Sequence, residues 1–555
     1  MQARPMAGYG AGRPPRRGPA WLGPLALAGG LVVVAILVLG LGSSLLGGEA
    51  EPSPSDGAAA STPPTRTILP GVTPKPELSP SPSPSPEPEP FALVAVVDLT
   101  EKRVAIGSDA LATAVDGGGA ILPCGLDALE IAGDPIDLVG RDCVEPEAVA
   151  AAVKASGGGI GMLPVGLVEP IVKALEVDGA DLFGPADARA LPYPVIGLAP
   201  TYPQAWTAYD PNDVRTVMST GSVCPDRGVS LRAVVEGKGW DWTLAGGTAK
   251  YTGIFMDTRF SGPEGKGWPV VKPARTGNEG AVRDLMQGAD LTLTDFECPM
   301  IKGFKQHNSG TVFSIDPRVA DLLARHGVDV ATLGSNHIGD QGRGGVTQTI
   351  EYFEAAGVKT VGAGRNLEEA LRPAVVDVRG IRFAIVGFDA TGVSRPATAE
   401  SAGVFSYSTA NVESAMAAAN AAADIVIVMP QWGFPEYHAE FTKTQLQQMP
   451  AWYELGADLI IGQGTHWASA AQMEPGGDTG YRFTISSMGN FLFHQHWSRQ
   501  TMEGVLPELA FVGEKLVRVR LHPYVVVDWA QPNLTDPTAD GAYVLDQVWE
   551  VSRLP

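Results

Sequence analysis

The sequence predicts an α/β protein with two folded regions, and three observations along its 555 residues support this. Short apolar runs alternate with amphipathic or Ala-rich stretches, the pattern of strands interleaved with helices. In the second half the runs end in polar or glycine clusters, as strands do where an open sheet binds its ligand. The apolar content of 45% is ample for real cores. Length suggests roughly two to four domains. The formal charge of −21 excludes a nucleic-acid binder, which needs clustered Lys and Arg.

Taken in order, residues 1–17 carry Arg4, Arg13, Arg16 and Arg17 and read as a basic cytoplasmic segment. Residues 18–48 hold the uncharged PLALAGGLVVVAILVLGLG, long enough to span a hydrocarbon core as one uncleaved transmembrane anchor. A cleaved signal peptide is the competing reading, but its apolar region is usually only about 7–15 residues. Residues 49–90 form a Pro/Ser-rich linker ending in SPSPSPSPEPEP, which cannot bury apolar surface and favours an extended spacer. The expected partner is therefore a membrane, crossed once, with the folded domains extracytoplasmic.

Residues 91–236 are expected to form a small α/β domain. ALVAVVDL reads as a strand, EPEAVAAAVKAS as a helix, and GGIGMLPVGLVEPIVKALEV as a strand then a helix. The phrases GMLPVGLVEP, ALEVDG and LPYPV loosely resemble periplasmic solute-binding modules without supplying an identifiable ligand residue. None of Cys124, Cys143, Cys224 and Cys298 shows metal-type spacing. Cys124 with Cys143 is the preferred disulfide, because both lie in one domain and close a short loop. The other two are left as candidate free thiols.

Residues 237–530 repeat the pattern more firmly, with 531–555 as a C-terminal extension. Six apolar runs, DWTLAGG, ADLTLTDFE, VDVATLGSNH, FAIVGFD, ADIVIVMPQWG and ADLIIGQGTH, read as strands, with FTISSMGNF as an antiparallel companion. RVADLLARHG and VTQTIEYFEAAG read as helices, the second stopping at Gly357. The most informative stretch is GVDVATLGSNHIGDQG, where a buried strand runs into Ser335, Asn336, His337 and Asp340. An amide oxygen beside an imidazole is a sensible pair for a divalent ion. The bland alternative is an Asn-containing turn. Six strands aiming polar ends at one edge argue for a single site.

SNHIGDQG, AAGVKTVGAGRN, QWGFPEY, GADLIIGQGTHW and SSMGNFLF, in this order, resemble the CapA family of capsule and poly-γ-glutamate biosynthesis proteins. The resemblance covers about residues 240–530. It implies a two-sheet metallophosphatase-like α/β sandwich and a role in handling an anionic surface polymer with cell-envelope machinery. It also implies site residues: Asp295, Asn336, His337 and His466 as metal ligands, His337, Asp340 and Glu297 for catalysis, and Trp432, Glu474 and Asn490 for substrate.

Several family positions are altered. Gly247 stands where an Asp is expected, Gln431 replaces an imidazole, and Gly464 replaces another. A two-metal hydrolytic centre needs carboxylates and imidazoles on both ions. The expected cofactor is thus at most one divalent ion, Mn, Zn or Mg. His494 and His496, at i and i+2 after GNFLF, are candidate replacement ligands, and the competing reading makes them surface residues. Glu436 is left undecided. His307, His326, His438 and His522 have no motif around them. Whether the chain is an enzyme stays open between a depleted CapA-type polymer protein, an active metal-dependent hydrolase and a catalytically dead binding module.

Overall fold

The computed structural model describes residues 89–259 and 266–555. The expected basic segment, anchor and nearly all of the linker lie outside these residues. Among the described residues no helix is long and apolar enough to cross a membrane.

The first region is a mixed eight-stranded sheet. Its central strand, Phe91–Asp98, pairs antiparallel with Val195–Leu198 and then Val172–Ala174 along one side, and with Ile160–Pro164 on the other. The expected helix in EPEAVAAAVKAS appears as Val149–Ser156, stopped by Gly157 in the left-handed region. The expected helix in IVKALEV does not form. That stretch makes the strands Val172–Ala174 and Glu176–Val177, and its first strand is buried throughout. A short, mostly apolar run carries no clear periodicity that tells strand from helix, so the sheet that receives it decides.

The second region stacks helices, sheet, sheet and helices. One sheet has ten strands and the other six. Alternate residues of each central strand face opposite layers, the period-two rule of β structure. Phe383, Ile385, Ile425 and Ile427 of the six-stranded sheet meet Leu291, Leu293 and Val330 of the ten-stranded sheet in one core. Ala384, Val386, Val426 and Val428 point the other way, under helices Thr409–Ala422 and Lys443–Glu454. Ala331 and Phe296 likewise face helices Arg318–Arg325 and Gly342–Ala356. The latter ends at Gly357 with φ 82°, as its sequence indicates.

Four expectations need correction. The strand Val214–Cys224 pairs parallel with Leu291–Phe296 and antiparallel with Glu503–Val512 near the middle of the ten-stranded sheet. The second region therefore begins near 214 and not at 237. DWTLAGG is not a strand: Asp241–Leu244 is one helical turn, with Trp240, Thr243 and Leu244 buried at helical spacing. FTISSMGNF is antiparallel on one side only: Tyr481–Ile485 pairs antiparallel with Ala471–Pro475 but runs parallel to Leu459–Ile461. The chain then crosses to the other sheet, where Asn490–Phe493 runs parallel to Val214–Cys224. Residues 531–555 are no appendage. Gln531–Leu534 is a sheet strand, and helix Ala542–Trp549 contributes Val544, Leu545 and Val548 to the inter-sheet core.

Both cysteine pairs are bonded. Cys124–Cys143 forms as expected, and Cys224–Cys298 joins the two supposed free thiols. The second crosslink ties the ends of two adjacent parallel strands, an arrangement that sequence separation alone does not reveal.

The first region is fastened to the second by buried charge. Asp181 receives Arg518 Nη1 at 2.6 Å and Arg520 Nη1 at 3.0 Å, and Arg518 Nη2 reaches Glu508 at 2.6 Å. His522 Nε2 lies 2.6 Å from the other Glu508 oxygen.

Candidate functional site

Parallel strands in register deliver side chains to one edge. Ser222 is paired with Asp295 on one side and Asn490 on the other, and Asp295 with Thr332, after which the chain turns through Ser335, Asn336 and His337. From the second sheet, Gln431 lies between Asp389 and Gln463. Asn336 Oδ1 accepts from Gln431 Nε2 at 3.2 Å, so the two sheets meet across this edge.

The floor is acidic and short of partners. Ser222 Oγ donates to Asp295 Oδ2 at 3.1 Å. Asp295 Oδ1 and both Glu297 carboxyl oxygens are buried without a hydrogen-bond partner, as is Gln431 Oε1. Burial raises the Asp295 pKa well above the usual carboxylate range, and Glu297 beside it adds to the rise. Asp295 therefore keeps its proton at pH values where an exposed aspartate has lost it.

His337 stands at the half-buried rim. Its Nδ1 is 3.0 Å from Asp340 Oδ2, which also accepts from the Phe313 amide at 2.8 Å. Burial opposes the imidazolium, but Asp340, with Glu297 and Glu436 further off, outweighs it and the His337 pKa is raised. An imidazole with a raised pKa can, when protonated, hold an anionic group or deliver a proton to one.

His466 is buried, with φ 61°, a region sparsely populated by non-glycine residues. Its Nδ1 bonds Asn490 Oδ1 at 2.9 Å, and Tyr437 stacks on its ring with centroids 5.7 Å apart. Tyr437 and Arg227 also have left-handed backbones, at φ 67° and 45°. Such conformations cluster at ligand sites, where the surrounding structure enforces them.

Sequence reasoning missed four of these residues, Ser222, Arg227, Tyr437 and Gln463. Arg227 is buried, with its guanidinium over the Phe313 ring at 4.9 Å and Phe493 at 5.6 Å. The acidic–basic step Asp226-Arg227 directly after the strand carrying Ser222 was the available signal. Tyr437 and Gln463 had none beyond their neighbouring motifs.

Several expected roles do not survive. Gly247 is not the vacated acid position. Its amide donates to Asn533 Oδ1, and a Cβ there would lie 2.1 Å from the Gly277 carbonyl oxygen. The strand end opposite Asp295 belongs to Ser222. Gly464, at φ 109°, has no room for an imidazole, since a Cβ would meet the Trp432 carbonyl oxygen at 2.5 Å. Trp432 does not bind substrate: it is fully buried, stacks on Trp452 at 5.1 Å and donates to the Ser486 carbonyl. Glu474 pairs with Arg482 near the start of Tyr481–Ile485, the end of the strand away from the site. Asn490 donates to Thr501 O and Gln495 Oε1 while accepting from His466, which leaves no amide atom for a substrate.

His494 and His496 are not replacement ligands. His494 Nδ1 accepts from the Gly228 amide, its ring stacks on Trp529, and His496 Nε2 bonds the Val526 carbonyl. Burial depresses both pKa values, that of His496 to about 4.

The residues present do not fit a paired metal centre. Among the described residues no three His, Cys, Asp or Glu side chains form a group able to hold an ion. Two imidazoles each have Nδ1 committed, and a serine faces Asp295. The orphaned carboxyl oxygens call for positive charge, whether proton or cation, but no reaction step follows from that.

Fold and site together define a two-sheet α/β sandwich with its polar site beyond the carboxyl ends of the strands. Residues 272–495 match the family described as bacterial capsule synthesis protein PGA_cap. The capsule biosynthesis protein CapA of Bacillus anthracis is 28% identical over 227 residues, covering 39% of this chain and 54% of that protein. The PGA biosynthesis protein CapA of Bacillus subtilis (strain 168) is 28% identical over 222 residues, covering 39% and 57%. Over these residues the chain is similar to the CapA family, and it spans about half the length of the curated relatives it matches. Among solved structures it is similar to the calcineurin-like phosphoesterase YfkN from Bacillus subtilis (12% identity, TM-score 0.29, covering 60% of this chain and 97% of that one). It is also similar to the NAD nucleotidase NadN of Haemophilus influenzae (12%, TM-score 0.32, covering 56% and 50%). Likenesses at these scores carry no inference about chemistry.

Proposed function

We propose that this CapA-like chain is a membrane-anchored, extracytoplasmic protein that binds an anionic surface polymer of the capsule or poly-γ-glutamate type during its synthesis, export or anchoring, and that it is a weak or inactive phosphoesterase. The observation that carries the reading is the donor set at the strand ends. Ser222 and Gln431 stand beside Asp295 and Asn336, and Asp295 and Glu297 keep uncompensated oxygens. Hydrolysis by a metal pair depends on a bound water made acidic by both ions, which this set does not support. His337 at the rim, whose pKa Asp340 holds above the usual imidazole value against the opposing effect of burial, supplies a contact for a polymer carboxylate or phosphate that is cationic when the ring is protonated.

The test uses the full chain purified from membranes with and without manganese. No hydrolysis of a generic phosphodiester or of poly-γ-glutamate is expected, while poly-γ-glutamate binding weakens at least about tenfold in His337→Ala, a loss of about 1.4 kcal/mol. Manganese-dependent hydrolysis that stops with chelator would overturn the inactive reading. Unchanged binding in His337→Ala would overturn the polymer site. Recovery of the chain in the soluble fraction of cells would overturn the anchor.

A further inference from the structure

We infer that Asn490 is a positioning residue for His466, fixing its neutral imidazole as the Nδ1–H tautomer and leaving the lone pair on Nε2. The chain of reasoning begins at a group whose role is unambiguous. The Thr501 carbonyl oxygen can only accept, and Asn490 Nδ2 lies 3.1 Å from it. A second contact, Nδ2 to Gln495 Oε1 at 3.3 Å, agrees with that orientation. The amide oxygen therefore faces His466 Nδ1 at 2.9 Å. An amide oxygen donates nothing, so the proton of this bond sits on Nδ1, and a neutral imidazole then has an unprotonated Nε2.

Neither partner is free to turn. The His466 ring has Tyr437 stacked on it and the edge of Phe493 at 5.3 Å. The Asn490 backbone carbonyl accepts from Tyr524 Oη at 2.7 Å. Thr501 is held in the single turn Arg499–Met502, closed by reciprocal bonds between Ser498 and Thr501. Second-layer hydrogen bonds of this kind select which ring nitrogen meets a proton or cation. The inference rests on the proposed function only in giving Nε2 a task; the tautomer itself does not depend on it.

The experiment is a two-bond proton–nitrogen correlation spectrum of the full chain labelled with 15N-histidine, without polymer or metal. His466 is identified by the signal lost in His466→Gln. The neutral ring is expected as Nδ1–H in the wild type, and finding Nε2–H instead overturns the proposal without any variant. In Asn490→Leu, which keeps bulk but removes the acceptor, the tautomer ratio is expected to fall roughly five- to tenfold, the worth of one net hydrogen bond. An unchanged ratio in folded protein overturns the proposal. Should Asn490→Leu not fold, Asn490→Asp decides: it keeps an acceptor and is expected to keep Nδ1–H, and a switch to Nε2–H sinks the idea. Failure here leaves polymer binding untouched, and loss of binding in His337→Ala leaves the tautomer untouched.

Discussion

Where the first region meets the long sheet, Asp181 and Glu508 are as deeply buried as Asp295 and Glu297 at the strand ends. The first pair sits among Arg518, Arg520 and His522, with bonds from 2.6 to 3.0 Å. Burial pushes their pKa values up, but the arginines, joined by His522 at Glu508, outweigh it, so both are lowered. The second pair has no cation bonded to it, and burial with mutual repulsion drives Asp295 upward. Burial alone thus does not say what a carboxylate is for; the partner set does. A saturated cluster is a fastening, and an unsaturated one in a polar site is a candidate for function.

The largest effect should come from breaking the fastening. Arg518→Leu leaves Asp181 and Glu508 facing each other with less positive charge, and the expected loss is about 3–5 kcal/mol in denaturant unfolding. A loss below about 1 kcal/mol would mean that water enters this interface and the comparison fails. Next, replacing Cys224 and Cys298 together by Ala removes a crosslink spanning 74 residues. Loop-closure entropy sets that at about 4 kcal/mol if the reduced chain is otherwise unchanged. Thermal unfolding with and without the crosslink measures it, and a far smaller change would show that the strand ends hold themselves.

The smallest effect is the most discriminating. Asp295 has a folded pKa raised above its unfolded value, so its favourable contribution is complete below about pH 4 and is lost as pH rises through the folded value. Asp181 and Glu508 do the reverse, contributing above that range and losing it as pH falls. Asp295→Asn should therefore match the wild type in mild acid and become the more stable form as pH rises, the gap widening by at most about 1.4 kcal/mol per pH unit. A gap that stays flat from pH 4 to 8 would show that Asp295 ionises normally.

Much of the second region was legible because its strands are short apolar runs ending in polar or glycine clusters and its helices have ordinary stops, as at Gly357. The edge holding Asp295, Asn336, His337 and His466 was legible for the same reason, since each lies at or soon after the end of a strand. What stayed hidden depends on pairing between distant segments. Nothing local in VRTVMSTGSVC says that Ser222 will lie between Asp295 and Asn490. Nor does FHQH reveal that both rings turn toward Gly228 and Val526. Trp432 misled because a motif residue beside a site position can serve the core: side chains alternate along the strand, so Gln431 faces the edge and Trp432 the helices.

The placement of Phe91–Asp98 has a mechanical consequence. The described fold begins at this strand, which is flanked on both sides by antiparallel neighbours across Phe91 to Asp98. Tension applied from the preceding segment would run along the strand and load those hydrogen bonds together in shear, since they lie perpendicular to it. From there the load passes through the Asp181–Arg518 contact into the long sheet. A tether attached at this point would pull on the protein where several bonds must break at once.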